Sequence, residues 1–144
     1  MRLVVLGFGV MLGVLGACSD SATPTPTGAV CPDPDPMTLT WGSFGEQFMT
    51  TYCTACHSTE LSHSMRNGAP LYHDYDTLAG VLKIPDHIDE EAGAGPAAVN
   101  TRMPPSRCPS MPGGKIDRDC PEPTEAERTE LAVWVACEQQ RAGK

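Results

Sequence analysis

The chain has 144 residues, one domain's worth, and a formal net charge of −8. Leu, Ile, Val and Phe number 25, about 17%, and that fraction with this charge marks a chain whose aliphatic side chains alone cannot offset about 1.5 kcal/mol of ordering entropy per residue. An ordinary aliphatic core is therefore excluded, and the acidic balance with no basic run excludes a nucleic-acid binder.

The first predicted element is an export signal. Arg2 precedes fifteen residues, Leu3 to Ala17, without a charged or strongly polar side chain. That is too short for a spanning helix of about 20 residues and suits a secretory apolar region of about 7 to 15. Its end, Leu15-Gly16-Ala17-Cys18, resembles the bacterial lipobox. The resemblance implies that Cys18 is lipidated as the first residue of the mature protein, tethering it to the envelope without a transmembrane helix. It also implies outer-membrane rather than inner-membrane sorting, because Ser19 follows. The competing reading is an ordinary signal peptide with Cys18 a bystander. Residues 18–36 hold Thr23-Pro24-Thr25-Pro26-Thr27 and Pro32-Asp33-Pro34-Asp35-Pro36, a Pro-rich tether expected to lift a body at 37–144 off the membrane.

Within that body, apolar residues at 44, 48, 49 and 52 predict an amphipathic helix over Phe44 to Tyr52. It runs into Cys53-Thr54-Ala55-Cys56-His57, the C-x-x-C-H pentapeptide of c-type haem attachment. Two thiols at i and i+3 reach the vinyl groups on one porphyrin edge, and the next imidazole sits under the iron. A thioredoxin-like pair or half a zinc site competes with this, but no βαβ pattern surrounds the motif. Asp76-Thr77-Leu78 predicts a capped short helix to about 83, and Pro85-Asp86 the start of another, ending at Gly93 to Pro96. Acidic residues from Asp86 to Glu91 read as a solvated face, or as a surface choosing a basic redox partner. Thr124 and Glu127 form a capping box for a helix over about 125 to 140.

These features together resemble a class I monohaem cytochrome c over residues 41 to 141. The resemblance implies an all-α fold with N- and C-terminal helices packed around one covalently attached haem c, long loops between them, and Gly45 meeting Trp134 where the helices cross. It implies attachment at Cys53 and Cys56 and iron ligation by His57 and Met103, the latter from Arg102-Met103-Pro104-Pro105. Met111 stands as a rival sixth ligand, and His63, His73 and His87 as weaker ones. Gly68-Ala69-Pro70-Leu71 resembles the family loop whose Pro carbonyl orients the imidazole, which gives Pro70 that role. A haem burying 400 Å² or more would make up the apolar deficit, on the order of 10 kcal/mol.

The function implied is single-electron transfer between partner proteins on the periplasmic side, not enzymatic catalysis. A haem-based sensor or gas-binding module, and a haem-free lipoprotein held by disulfides or zinc, are the alternatives. Cys31, Cys108, Cys120 and Cys137 remain after lipid and haem, an even number in an oxidising compartment with three possible pairings. Cys108 with Cys120 and Cys31 with Cys137 is the preferred set.

Overall fold

The fold was analysed in a computed structural model that describes residues 23–144; the expected export signal and Cys18 lie outside them. The first helical segment begins where Thr40 and Ser43 cap each other. The Thr40 N–H donates to Ser43 Oγ (2.9 Å), and the Ser43 N–H donates to Thr40 Oγ1 (3.2 Å). A π-type turn over Trp41–Gly45 follows and continues directly into α1, Glu46–Tyr52. Along it the rings of Phe44, Phe48 and Tyr52 run down one side, with centroids 5.4 Å and then 4.8 Å apart. Helix α2, Leu78–Val81, starts where Thr77 Oγ1 accepts from the Gly80 N–H, and α3, Pro85–Ala92, starts on a proline whose missing N–H costs nothing there. Helix α4, Glu125–Arg141, carries the expected capping box, with Glu127 Oε2 accepting from the Thr124 N–H (2.8 Å) and Thr124 Oγ1 from the Glu127 N–H (3.2 Å).

Helix α4 packs against the N-terminal segment through Trp134, which is fully buried. Its ring lies 5.9 Å from Phe44 and 6.2 Å from Trp41, and its Nε1 donates to Glu138 (3.1 Å). Gly45 lets this ring in: a Cβ there would meet Trp134 Cζ2 and lie 2.7 Å from Cε2 and Cη2. The expected meeting of Gly45 and Trp134 is therefore present. The core contains Phe48, Met49, Tyr75, Val81, Ile88 and Leu131 beside Trp134 and Val135. Large rings do much of the work that the scarce aliphatic residues cannot, since each buries about 150–250 Å².

The all-α expectation is corrected. Among the described residues four α-helices are accompanied by an antiparallel pair of strands, β1 (Arg107–Pro109) and β2 (Ile116–Asp119). Arg107 faces Asp119, Cys108 faces Arg118 and Pro109 faces Ile116, with an irregularity between Cys108 and Pro109. The fold is thus helices plus a hairpin, not helices alone wrapped around a haem. Pro104, Pro105, Pro109 and Pro112 keep this stretch out of a helix. The Cys108–Cys120 disulfide then holds its two extended arms side by side.

The Pro-rich stretch at 23–36 lies along the body instead of standing free. Thr27 is fully buried, donating its N–H and Oγ1 to the two carboxylate oxygens of Asp89 (2.8 and 2.6 Å). Further along, Cys31 is bonded to Cys137 of α4, and Asp35 takes a two-pronged ion pair from Arg141 (2.6 and 2.8 Å). Both preferred disulfide pairings are present. Among the described residues no helix is long and apolar enough to cross a membrane.

Candidate functional site

Helix α1 ends at Tyr52, and tight turns follow: the Cys53 N–H donates to Met49 O (2.9 Å) and the His57 N–H to Cys53 O (3.0 Å). These turns set Cys53, Cys56 and His57 along one wall of a largely apolar cavity of about 310 Å³. Pro70 and Met103 line the same cavity, although they come from separate loops. The chain therefore brings together all five residues expected at the cofactor site. The rival Met111 lies on the hairpin, 65% exposed and away from the cavity wall. His63 lies in a short 3₁₀ turn away from the cavity, whereas His73 and His87 line it.

The His57 ring is fixed from several sides. Its Nδ1 lies 3.0 Å from the His73 carbonyl, which only accepts, so Nδ1 carries the proton and Nε2 keeps a lone pair. Tyr75 stacks on the ring with centroids 4.7 Å apart, and the Tyr75 N–H donates to the His57 carbonyl (3.0 Å). Burial pulls the imidazole down to about 4, against the opposing His73 carbonyl bond and with help from the fields of His73, Arg66 and His87. It is neutral at pH 7, the form that ligates a metal.

The role expected of Pro70 is corrected in its details. Its carbonyl accepts from Arg66 Nη2 (2.8 Å), and the imidazole goes to His73 O instead. Arg66, only 2% exposed, sets this arrangement. It also donates to Ser58 O (2.8 Å) and His73 O (2.9 Å) and pairs with Asp74 (2.6 Å), tying the loop over 66–74 together. Within that loop Tyr72 has a positive φ of 74°. Sequence reasoning missed Arg66, Tyr75 and the part played by the His73 carbonyl, because no spacing rule points from a motif to a carbonyl sixteen residues on.

Met103 comes from the loop after α3. Its N–H donates to Glu91 O (2.9 Å), and its carbonyl accepts from Arg128 Nη1 (2.8 Å). Arg102 beside it pairs with Glu91 (3.1 Å). Met103 lines the cavity and is 38% exposed.

The expectation of one haem c bound through two thioethers is corrected. The sulfur bonds in the structure are Cys31–Cys137 and Cys108–Cys120, while Cys53 and Cys56 both carry free thiols, so a covalently bound haem is not indicated. Burial pushes Cys53 up to about 12 and raises Cys56 above its usual value, against the fields of Arg128 and Arg66 respectively and the Asn67 amide beside Cys56. At neutral pH both are protonated thiols, the unreactive form.

Two donors of kinds that ligate iron remain on the cavity wall. A neutral imidazole and a thioether line one apolar cavity, a donor pair suited to iron that favours its reduced state. His73 also lines the cavity, and its Nδ1 is buried without a hydrogen-bond partner. No family model matches this chain, and neither a curated protein nor a solved structure does.

Proposed function

We propose that this chain is an exported one-electron carrier whose redox centre is an iron held between His57 and Met103. The carrying observation is that these two ligands, distant in sequence, line one largely apolar cavity, with the imidazole already neutral and its Nδ1 proton already committed. The resemblance of Cys53–His57 and Met103–Pro105 to class I cytochromes c supports the role; covalent attachment through Cys53 and Cys56 is not part of it. The iron supplies a single-electron couple. Arg66 and the His73 carbonyl would hold the His57 side of the site, the apolar wall would exclude water, and the Met103 thioether would favour the reduced form.

The lipobox at Cys18 supports a lipid anchor at the cell envelope, at the outer rather than the inner membrane, with the body facing the periplasm. Redox proteins of opposite charge are the partners that the net charge of −8 favours. Iron analysis of the protein purified from the cell envelope tests the reading. One iron per chain, lost in His57→Ala, is expected, and an iron-free chain refutes it. A second reading, a lipoprotein held by disulfides with no redox centre, draws support from Cys31–Cys137 and Cys108–Cys120, and the same analysis separates the two.

A further inference from the structure

Arg128 lies in the first turns of α4 and is 4% exposed, an uncommon place for a guanidinium. The two N–H groups of its Nη1 are shared among three carbonyls: Ala92 at the end of α3 (2.9 Å), Asn100 (3.0 Å) and Met103 (2.8 Å). The Ala94 N–H donates back to the Arg128 carbonyl (3.0 Å), so the loop over 93–103 is fastened to α4 by side chain and backbone alike. The same loop is held from the other side by Glu91, whose carbonyl accepts from the Met103 N–H (2.9 Å). Met103 is therefore gripped at both its N–H and its C=O, and the residue lines the cavity.

We propose that Arg128 is the positioning residue for Met103, holding the loop so that the thioether stays on the iron side of the cavity. This rests on the reading of Met103 as an iron ligand. The three carbonyls converge on one guanidinium nitrogen, six bonds from Cα; a lysine ammonium ends one bond shorter and is more strongly hydrated, so it does not reach all three in the same place. Losing the grip leaves the ligand attached to the chain but no longer aimed, so an added competitor displaces it more readily. Partners that orient metal ligands commonly change affinity by about tenfold to a hundredfold when removed.

The test uses the full chain purified from the cell envelope, titrated with imidazole as the competing ligand and followed by absorption. Arg128→Met is expected to raise imidazole affinity by about tenfold or more, and Arg128→Lys by an intermediate factor. Met103→Ala sets the upper limit. A second readout does not depend on the iron: amide hydrogen exchange at Met103, protected by its bond to Glu91, speeds up in Arg128→Met while exchange in the middle of α4 is unchanged. If Met103→Ala leaves imidazole binding unchanged, the ligand role of Met103 fails and the proposal falls with it. If Met103→Ala responds but both Arg128 variants bind imidazole as the parent does, the positioning proposal alone is overturned. Should Arg128→Met not fold, Arg128→Lys decides, and parental affinity in that variant counts against the proposal.

Discussion

Replacing Gly45 by Ala puts a methyl group where Trp134 already is. The new Cβ would meet Cζ2 and lie 2.7 Å from Cε2 and Cη2, closer than real Cβ atoms come to carbon. The ring has little room to retreat, because Trp134 is fully buried, its Nε1 is bonded to Glu138, and Phe44 and Trp41 flank it. Overpacking of this kind costs about 1–3 kcal/mol or more. Gly45 has ordinary helical dihedrals, so Ala returns up to about 1 kcal/mol of backbone entropy. Gly42 supplies the control: it lies in the same helical turn, and a Cβ there meets nothing within 4 Å. Gly42→Ala should therefore stabilise the chain slightly while Gly45→Ala destabilises it. The backbone gain is common to both, so the two variants should differ by the overpacking cost, about 1–3 kcal/mol, roughly 5–15 °C in Tm for a domain near 100 residues. Thermal unfolding followed by circular dichroism measures both. A Gly45→Ala variant as stable as Gly42→Ala would show that the close approach of Trp134 is not what joins α4 to the N-terminal segment.

The Cys31–Cys137 bond spans 106 residues and the Cys108–Cys120 bond 12, so denaturant unfolding should show paired Ser replacements costing about 4–5 and about 3 kcal/mol respectively. A non-reduced peptide map finding other pairings would overturn both figures. Stability should also fall in acid through His57. Its folded value is about 4 against 6.5 when unfolded, so the unfolded chain takes the proton first as pH drops. In protein without bound metal the contribution, about 3 kcal/mol, is complete above pH 6.5 and lost as pH falls to 4; comparing metal-free His57→Gln with the metal-free parent over that range isolates it. Thr124→Ala should cost about 1 kcal/mol by removing the cap of α4, read by the same melts.

The helices were legible because their signals are local. Thr77, Pro85 and the Thr124/Glu127 box mark starts within a few residues of the elements they begin, and the 44, 48, 52 spacing shows which face turns inward. The hairpin was not legible, since β1 has three residues with a proline among them and β2 is exposed throughout; pairing there comes with a disulfide and not with an alternating pattern. Nor did the 23–36 stretch announce that it docks. Proline content alone reads as a spacer, and what holds the stretch, Asp89 to Thr27 and Arg141 to Asp35, joins residues 62 and 106 positions apart. At the candidate site the gathering of Cys53, Cys56, His57 and Met103 followed from motifs. The imidazole's partner did not, because it is the carbonyl of His73 and not that of Pro70, and no motif marks it. The apolar deficit read from composition is met by ring packing around Trp134, by two disulfides and by buried Arg66 and Arg128, whose hydrogen bonds to carbonyls leave no composition signal.

The central claim is that one electron is exchanged at a centre between His57 and Met103, and a potentiometric titration of the purified full-length protein tests it most directly. The account predicts a single one-electron wave whose midpoint falls when Met103 is replaced by His, because a nitrogen ligand stabilises the oxidised iron more than thioether sulfur does. A chain with no redox wave, or one whose midpoint ignores the exchange of Met103, would contradict it.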